Sequence, residues 1–568
     1  MAKNAIARHP HPLTKPESIK HLLQIAVDET GDRIAYKYRT KEGVCEVTFR
    51  EFQMETYYLG TALNALGMAR AHIGCCAENS YDWILTYLTA LQSEGIFCPV
   101  DKELPPSDLV YVINHGDDEI VFCDKKREEI FREIRNELPN VKYFVSFDRD
   151  EDDGEFLSFR KLFENGKKLY EEGNREFCEM ETKDKKAMKM LLYTSGTTGL
   201  AKGVMLSEHN LISLVYWGLK TAVIREVGLS ILPYHHSYEA VAGILVAMHN
   251  HSTLCINDSL KRVVKNLALY KPGYMFVVPA VLEVLYRRMQ ASIEEKGKTK
   301  TIKIARKLSN FLRAIGIDVR RKLFAELHNA LGGNLEKLVC GSAPLRPEIA
   351  DFFDDIGIIV TNGYGITECS PLISVNDEFE NDPRTVGFWI DCIDVRIDDP
   401  NEDGEGEICV KGDIVMLGYY KNEEATAEVF TEDGYFRTGD YGKLTKKGQI
   451  MITGRKKNII ILGNGKNIYP EELEDYIGGI PYVLENVVYA YRDESGAEDA
   501  LAVQCTVEPE LLEKEGKEAL EARLKKDVFA ALEKLPTYKQ VTKVIIREAP
   551  FVVTSSKKIR RAKDGSPM

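Results

Sequence analysis

Residues 193–203 read Tyr-Thr-Ser-Gly-Thr-Thr-Gly-Leu-Ala-Lys-Gly. An apolar run leads in, glycines and hydroxyls alternate, and Lys202 closes the segment. Glycines let backbone N–H groups come close to phosphate oxygens, hydroxyls add donors, and the lysine adds charge. The composition is that of a phosphate cradle. It is neither the G-x-x-x-x-G-K-S/T loop of NTPases nor the G-x-G-x-x-G dinucleotide fingerprint. A flexible Gly/Ser/Thr linker is the alternative, and the apolar strand before the loop and the lysine at its end weigh against it.

The rest of the composition bounds the function class. The chain has 568 residues, more than one core can hold, so several domains are expected. Lys and Arg total 75 against 88 Asp and Glu, a net charge of −13. That balance excludes a general nucleic-acid binder and fits permanent residence on an anionic membrane poorly. No stretch approaches the roughly 18 apolar residues of a membrane span. Residues 1–12 lack the apolar segment of a secretory signal. The 12 cysteines are scattered, with no C-x-x-C pair and no zinc-type spacing. A cytoplasmic protein with reduced thiols is the expectation.

The 193–203 segment resembles the Y-T-S-G-T-T-G-x-P-K-G loop of the adenylate-forming superfamily: acyl-CoA synthetases, peptide-synthetase adenylation domains and firefly-type luciferases. Ala201 stands where that family usually has proline. The family's other blocks follow in order. Leu232-Pro-Tyr-His-His-Ser-Tyr-Glu239 resembles L-P-L-x-H, Cys340-Gly-Ser-Ala-Pro-Leu345 the adenine-side block, and Asn362-Gly-Tyr-Gly-Ile-Thr-Glu368 the G-Y-G-x-T-E block. Phe436-Arg-Thr-Gly-Asp440 resembles Y-R-T-G-D, and Gly454-Arg-Lys-Lys457 with 465–474 the hinge block. Thr554-Ser-Ser-Lys-Lys-Ile-Arg560 resembles T-x-x-G-K-I-x-R. The resemblance covers nearly the whole chain.

It implies a two-step reaction: a carboxylate attacks the α-phosphate of ATP, and a thiol then displaces AMP. Thr194, Ser195, Gly196, Thr197, Thr198, Gly199 and Lys202 would hold the β- and γ-phosphates. Thr194 and Glu368 would also hold Mg²⁺, a hard cation suited to oxygen ligands. Gly341, Ser342 and Ala343 would floor the adenine, and Tyr364 would stack on it, within the block Asn362, Gly363, Tyr364, Gly365 and Thr367. Asp440 would accept from the ribose hydroxyls, with Arg455 assisting. Lys558 is the implied catalytic lysine, with Lys557, in place of the family glycine, as the neighbouring alternative. His236 would sit beside the acyl group, with His235 as its structural neighbour. Lys457 marks the hinge.

The histidine block lacks the Asp with which amino-acid-activating domains hold a substrate amine, which points to an acid without an amino group. The wording around Glu368 and 463–470 resembles bacterial medium- and long-chain fatty acyl-CoA ligases. The chain ends soon after Lys558, so the implied acceptor is free CoA. A separate acyl-carrier protein is the alternative, as is an aryl-CoA ligase. From another class, a nucleotide-binding scaffold that has lost catalysis is the remaining reading.

These residues must be positioned by an α/β architecture. Apolar runs at 190–194, 229–234, 274–279, Lys337–Cys340 and 358–361 alternate with helical patterns at 208–220, 238–250, 281–292 and 346–355. That order builds a mainly parallel sheet flanked by helices, with ligands at the carboxyl ends of the strands. Short runs at 386–390, 394–397, 407–410, 435–438 and 449–453 predict a β-rich subdomain. From Tyr469 a small, mobile α+β domain follows. The expected domains are 1–453, a hinge at 454–458, and 459–568. Residues 125–137 and 508–534 read as solvated charged helices. Residues 296–322 read as an ordinary amphipathic surface helix, with transient contact to a membrane or acyl chain as the alternative.

Overall fold

The computed structural model describes residues 12–194, 201–461, 467–491, 500–552, 559–562 and 565–568. The chain forms two compact units: Met1–Asp394 with Val410–Phe436, and Val395–Cys409 with Arg437–Met568.

The first unit is built on two large sheets. In the nine-stranded sheet, Ile359–Tyr364, Lys337–Cys340, Tyr274–Val277, Val227–Ser230, Thr253–Ile256 and Ile34–Arg39 lie side by side in that order. All five of these pairings are parallel. Tyr274–Val277, Lys337–Cys340 and Thr253–Ile256 are buried at every position. Apart from Thr253 and Lys337 they are apolar throughout, as a sheet covered on both faces requires. The eight-stranded sheet centres on parallel Met188–Thr194, Ile96–Pro99, His72–Cys76 and Asp118–Cys123. Lys202–Ser207 and then Gly418–Tyr419 extend it antiparallel at one edge.

The predicted helices are present. The helix over 208–220 is Glu208–Thr221, held at its start by a reciprocal cap between Ser207 and Asn210. The helix predicted over 281–292 lies in Pro279–Glu295, and that over 346–355 is Pro347–Ile356 with Arg346 as its N-cap; each begins with a proline whose missing N–H costs nothing there. The helical pattern at 238–250 is a π-helix, Tyr238–Leu245, running into Val246–His249. The α/β expectation therefore holds, with a separate β-rich part. That part is a four-stranded sheet of Ile393–Asp398, Gly406–Gly412, Phe436–Leu444 and Ile450–Arg455.

The second unit carries a three-stranded sheet in which Ala500–Val507 pairs antiparallel with Val483–Tyr491 and parallel with Lys543–Ile546. Helix Lys517–Leu532 packs Leu520, Leu524, Val528 and Leu532 into its core. A fourfold spacing places these on one stripe, leaving the charged face outside.

Two expectations about charged helices are corrected. In Lys125–Glu133, Arg127 and Glu128 are buried, not solvated. Glu128 Oε1 accepts from Arg132 Nε at 3.0 Å and Arg149 Nη2 at 2.6 Å, and this pairing is what permits burial. In Thr299–Ala314 only part of the apolar set turns inward: Ile302, Ala305 and Leu312 are half-buried beside buried Ser309, whereas Leu308, Phe311 and Ile315, with Ile304, are exposed.

Candidate active site

The phosphate-loop motif spans the mouth of an antiparallel hairpin. Met188–Thr194 and Lys202–Ser207 pair so that Tyr193 faces Gly203 and Thr194 faces Lys202. Near the end of its first strand, Tyr193 Oη and His115 Nδ1 share a hydrogen bond of 2.8 Å. Ser195, Gly196, Thr197, Thr198 and Gly199 lie outside the described residues.

From Lys202 a continuous run of contacts crosses the first unit. Lys202 Nζ lies 4.9 Å from the Tyr419 ring centroid. The Tyr419 hydroxyl donates to Glu368 Oε1 at 2.9 Å, while Met416 N donates to the Glu368 carbonyl at 2.8 Å. Burial, and then the neighbouring Glu368 charge, push the Tyr419 phenol far above its ordinary range, so it stays a donor. Beside Glu368, Thr367 Oγ1 and Ser237 Oγ share a hydrogen bond of 3.1 Å. The next residue, Tyr238, donates to Val339 O at 2.8 Å. Its ring lies over Gly341, where an added Cβ would come 3.1 Å from Tyr238 Cζ.

Each block owes its place to a parallel strand. Ser237 and Tyr238 follow Val227–Ser230, Gly341 follows Lys337–Cys340, and Thr367 and Glu368 follow Ile359–Tyr364. These are carboxyl ends in one sheet, where such folds bind ligands. Ser342 holds a left-handed φ of 74°, unusual for a residue with a Cβ, and it and Ala343 are exposed. Asn362 Nδ2 donates to Pro383 O at 2.9 Å. Gly363 and Tyr364 end the strand, with Tyr364 buried. Gly365 is required by space, since a Cβ there would lie 1.7 Å from Pro371 O.

His235 and His236 have ring centroids 4.2 Å apart. His235 Nε2 is 3.3 Å from Asp101 Oδ1, and burial lowers its pKa, with the His236 charge adding to this. His236 opens the π-helix, accepting from Ala240 N at 3.0 Å. Behind it Glu239 is buried, and Ser230 Oγ donates to its Oε1 at 2.5 Å. Burial raises its carboxyl to about 8. Bulges of this type concentrate at functional sites.

The second unit holds its own group. Asp440 and Arg455 face each other across paired strands, with Arg455 Nε 2.7 Å from Asp440 Oδ1. Asp440 is buried and Arg455 half-exposed. Lys457 has its pKa lowered by burial and then by Arg455. Lys557 and Lys558 lie outside the described residues.

Sequence reasoning missed Tyr419, Tyr238, Ser237 and Glu239. The last three sit inside a block that was singled out for His236. Tyr419 carries no motif signal, because its partner is 51 positions away. Elsewhere, His72, Cys98 and Asp118 converge in the first unit. A Cβ on Gly74 would lie 2.7 Å from Asp118 Oδ2, and burial raises the Asp118 carboxyl to about 8.

A family model described as AMP-binding enzyme matches residues 23–420. Long chain acyl-CoA synthetase 4 of Arabidopsis thaliana is 28% identical over 480 residues, 79% of this chain and 72% of that protein. Long-chain-fatty-acid–CoA ligase FadD15 of Mycobacterium bovis is 33% identical over 340 residues, 57% of this chain and 55% of its own. Among solved structures, the anthranilate CoA ligase AuaEII with anthranoyl-AMP superposes with a TM-score of 0.75 at 16% identity, covering 98% of this chain and 96% of that one. This last likeness is one of fold.

Proposed function

The chain belongs to the AMP-binding enzyme family, and from that premise we propose that it is an ATP-dependent ligase that activates a fatty acid as its acyl-adenylate and transfers the acyl group to CoA. The names of its relatives support this substrate class. The observation that carries the proposal is the unbroken path from Lys202 through Tyr419, Glu368, Thr367, Ser237 and Tyr238 to Gly341. It links the phosphate, metal, acyl and adenine blocks through direct contacts.

In the first step a carboxylate oxygen attacks the α-phosphorus, and the bond to the bridging oxygen breaks, releasing pyrophosphate. Charge grows on phosphate oxygens, so fixed cations and donors lower the barrier. Lys202 and the 194–199 hydroxyls and amides would supply them for the β- and γ-phosphates, and Lys558 for the reacting phosphate. In the second step the thiol of CoA loses its proton and attacks the acyl carbon, forming the thioester and expelling AMP. Gly341, Ser342 and Ala343 would floor the adenine, with Asn362, Gly363, Tyr364 and Gly365 beside it. Asp440 would bind the ribose hydroxyls, steadied by Arg455. His236 would border the acyl group.

Thr194 and Glu368 offer oxygen donors only, a set that fits Mg²⁺. Tyr419 occupies Glu368 Oε1. A bound Mg²⁺ would neutralise phosphate charge. We place the hinge between the catalytic steps at 454–458, around Lys457, and the protein in the cytoplasm, where ATP and CoA are available.

The test is a turnover matrix with ATP and Mg²⁺. Fatty and aryl acids are crossed with CoA and acyl-carrier protein, reading AMP and thioester. Turnover of fatty acids with CoA is expected. Preference for aryl acids or for the carrier protein would redirect the proposal, and no turnover with any acid would favour a scaffold.

A further inference from the structure

The helix Thr299–Ala314 carries large apolar side chains on its outward face as well as on its inward one. Its inward face is mixed: Ser309 is buried, Ile302, Ala305, Arg306 and Leu312 are half-buried, Arg306 Nε donates to Asp355 Oδ2 at 2.7 Å, and at its rim the exposed Asn310 Nδ2 donates to Asp355 Oδ1 at 2.6 Å. Arg313 pairs with Asp354 on the same side. Its outward face is apolar: Ile304 is 67% exposed, Leu308 52%, Phe311 65% and Ile315 60%. Steps of four, three and four residues set these on a single ridge. Ile317, just past the helix, is exposed as well.

Water gains nothing from such a ridge, and a contiguous exposed apolar surface marks a contact site. The charges say what kind. Lys300, Lys303 and Lys307 run along one edge of the ridge at steps of three and four. None of them joins an ion pair among the described residues, whereas Arg306 and Arg313 are neutralised by Asp355 and Asp354. No acidic residue occurs between Thr299 and Ile317, in a chain whose net charge is −13. The patch therefore carries free positive charge against the average of its own molecule.

An apolar ridge flanked by unpaired lysines matches a surface that is apolar below and anionic above. The helix has 16 residues and spans about 24 Å. No helix among the described residues is long and apolar enough to cross a membrane, so it would lie in the plane. A second copy of the chain fits less well. An antiparallel twofold pairing of the two ridges can set lysine edge against lysine edge, and like charges oppose that contact.

We propose that Thr299–Ala314 docks this protein reversibly on an anionic lipid bilayer, with Ile304, Leu308, Phe311 and Ile315 inserted at the headgroup boundary and Lys300, Lys303 and Lys307 among the headgroups. The proposal does not depend on which acid is activated. It would place the protein at the phase that holds long-chain acids.

The full chain is sedimented with vesicles of phosphatidylcholine alone and of an equimolar mixture with phosphatidylglycerol. Binding to the mixed vesicles is expected, weakened by salt. The pair Leu308→Glu and Phe311→Glu should abolish it. Reversing Lys300, Lys303 and Lys307 to Glu should weaken it by roughly tenfold or more. All five side chains point outward, so thermal unfolding should not change, and that measurement separates lost docking from lost folding. No binding to either vesicle, or equal binding by the variants, would overturn the proposal. Equal binding to both vesicle types would overturn the role of the lysines. A dimer in solution that Phe311→Glu dissociates, with no vesicle binding, would assign the ridge to a second copy instead.

Discussion

Replacing Glu239 by Gln should change how stability depends on pH more than it changes stability at acid pH. Glu239 is 1% exposed and receives one hydrogen bond, from Ser230 Oγ. Burial penalises its ionised form and raises its pKa from 4.5 to about 8. Below pH 4.5 both folded and unfolded chains carry the proton, and the group contributes no pH dependence. Between 4.5 and about 8 the unfolded chain has released the proton and the folded chain still holds it. The folded state then binds more protons, so stability falls as pH rises, by about 1.4 kcal/mol per unit. Above about 8 both forms are ionised and the slope vanishes. The whole window is worth on the order of 5 kcal/mol. Glutamine keeps the shape and the acceptor for Ser230 but cannot ionise. Equilibrium urea unfolding of both proteins from acid to neutral pH gives two curves whose difference isolates this one group. The gap should widen by about 2.7 kcal/mol over two pH units inside the window, with the wild type losing ground. Parallel curves would refute the reasoning, because a carboxyl with an ordinary pKa leaves no such slope.

Tyr419→Phe removes the donor to Glu368 Oε1 while preserving the ring beside Lys202. Acid-dependent pyrophosphate release should fall roughly 10- to 100-fold, with an altered Mg²⁺ requirement, since a hydrogen bond to a charged group is worth about 1.5–3 kcal/mol; an unchanged Mg²⁺ titration argues against placing the metal at Glu368. Asp440→Asn should raise KM for ATP about 10- to 100-fold with a smaller effect on kcat, because a carboxylate facing the ribose acts in binding; equal losses in kcat and kcat/KM would contradict that role. Lys558→Ala should slow adenylation by about a hundredfold or more yet leave thioester formation from preformed acyl-adenylate largely intact. An unaffected rate of pyrophosphate release would transfer the role to Lys557.

What could be read from the residues was local. The strand leading into the phosphate loop was legible because an apolar run, glycines and hydroxyls, and a lysine are adjacent in the chain, whereas its antiparallel partner Lys202–Ser207 was not read. Lys337–Cys340 was legible from the apolar run Leu338-Val-Cys340, while its first residue is a buried lysine whose Nζ pairs with Glu378 Oε1 at 3.0 Å. Contacts between blocks were not. Ser237 meets Thr367 across 130 positions and Tyr419 meets Glu368 across 51, and nothing in either neighbourhood specifies the partner. Direction was hidden too. Periodicity showed that 302–315 has apolar residues at helical spacing, but which of them face inward depends on what else is packed: Ile302, Ala305 and Leu312 are half-buried, while Leu308, Phe311 and Ile315 face out. Arg127 and Glu128 were misjudged for the same reason: mixed charges suit water or one another equally well, and only the fold chooses.

The two sheets of the first unit explain why Tyr419 matters although no motif contains it. The phosphate hairpin belongs to the eight-stranded sheet, while the strands leading to Ser237, Gly341 and Glu368 belong to the nine-stranded one. Two sheets can each be rigid and still leave the loops they carry misaligned by the fraction of an ångström that transition-state stabilisation cannot tolerate. Gly418–Tyr419 adds to the hairpin as its outer strand, in register with Met205 and Val204. From that edge the Tyr419 hydroxyl reaches Glu368, and Met416 N reaches the Glu368 carbonyl. The short segment Met416–Tyr419 therefore anchors Glu368 by both side chain and backbone to the sheet that carries Thr194 and Lys202. A phenol suits the post better than a second lysine or arginine would. It stays neutral beside Glu368, fixes one carboxylate oxygen, and leaves the carboxylate's negative charge in place to attract a cation. A basic residue there would cancel the charge on which the proposed metal role of Glu368 depends.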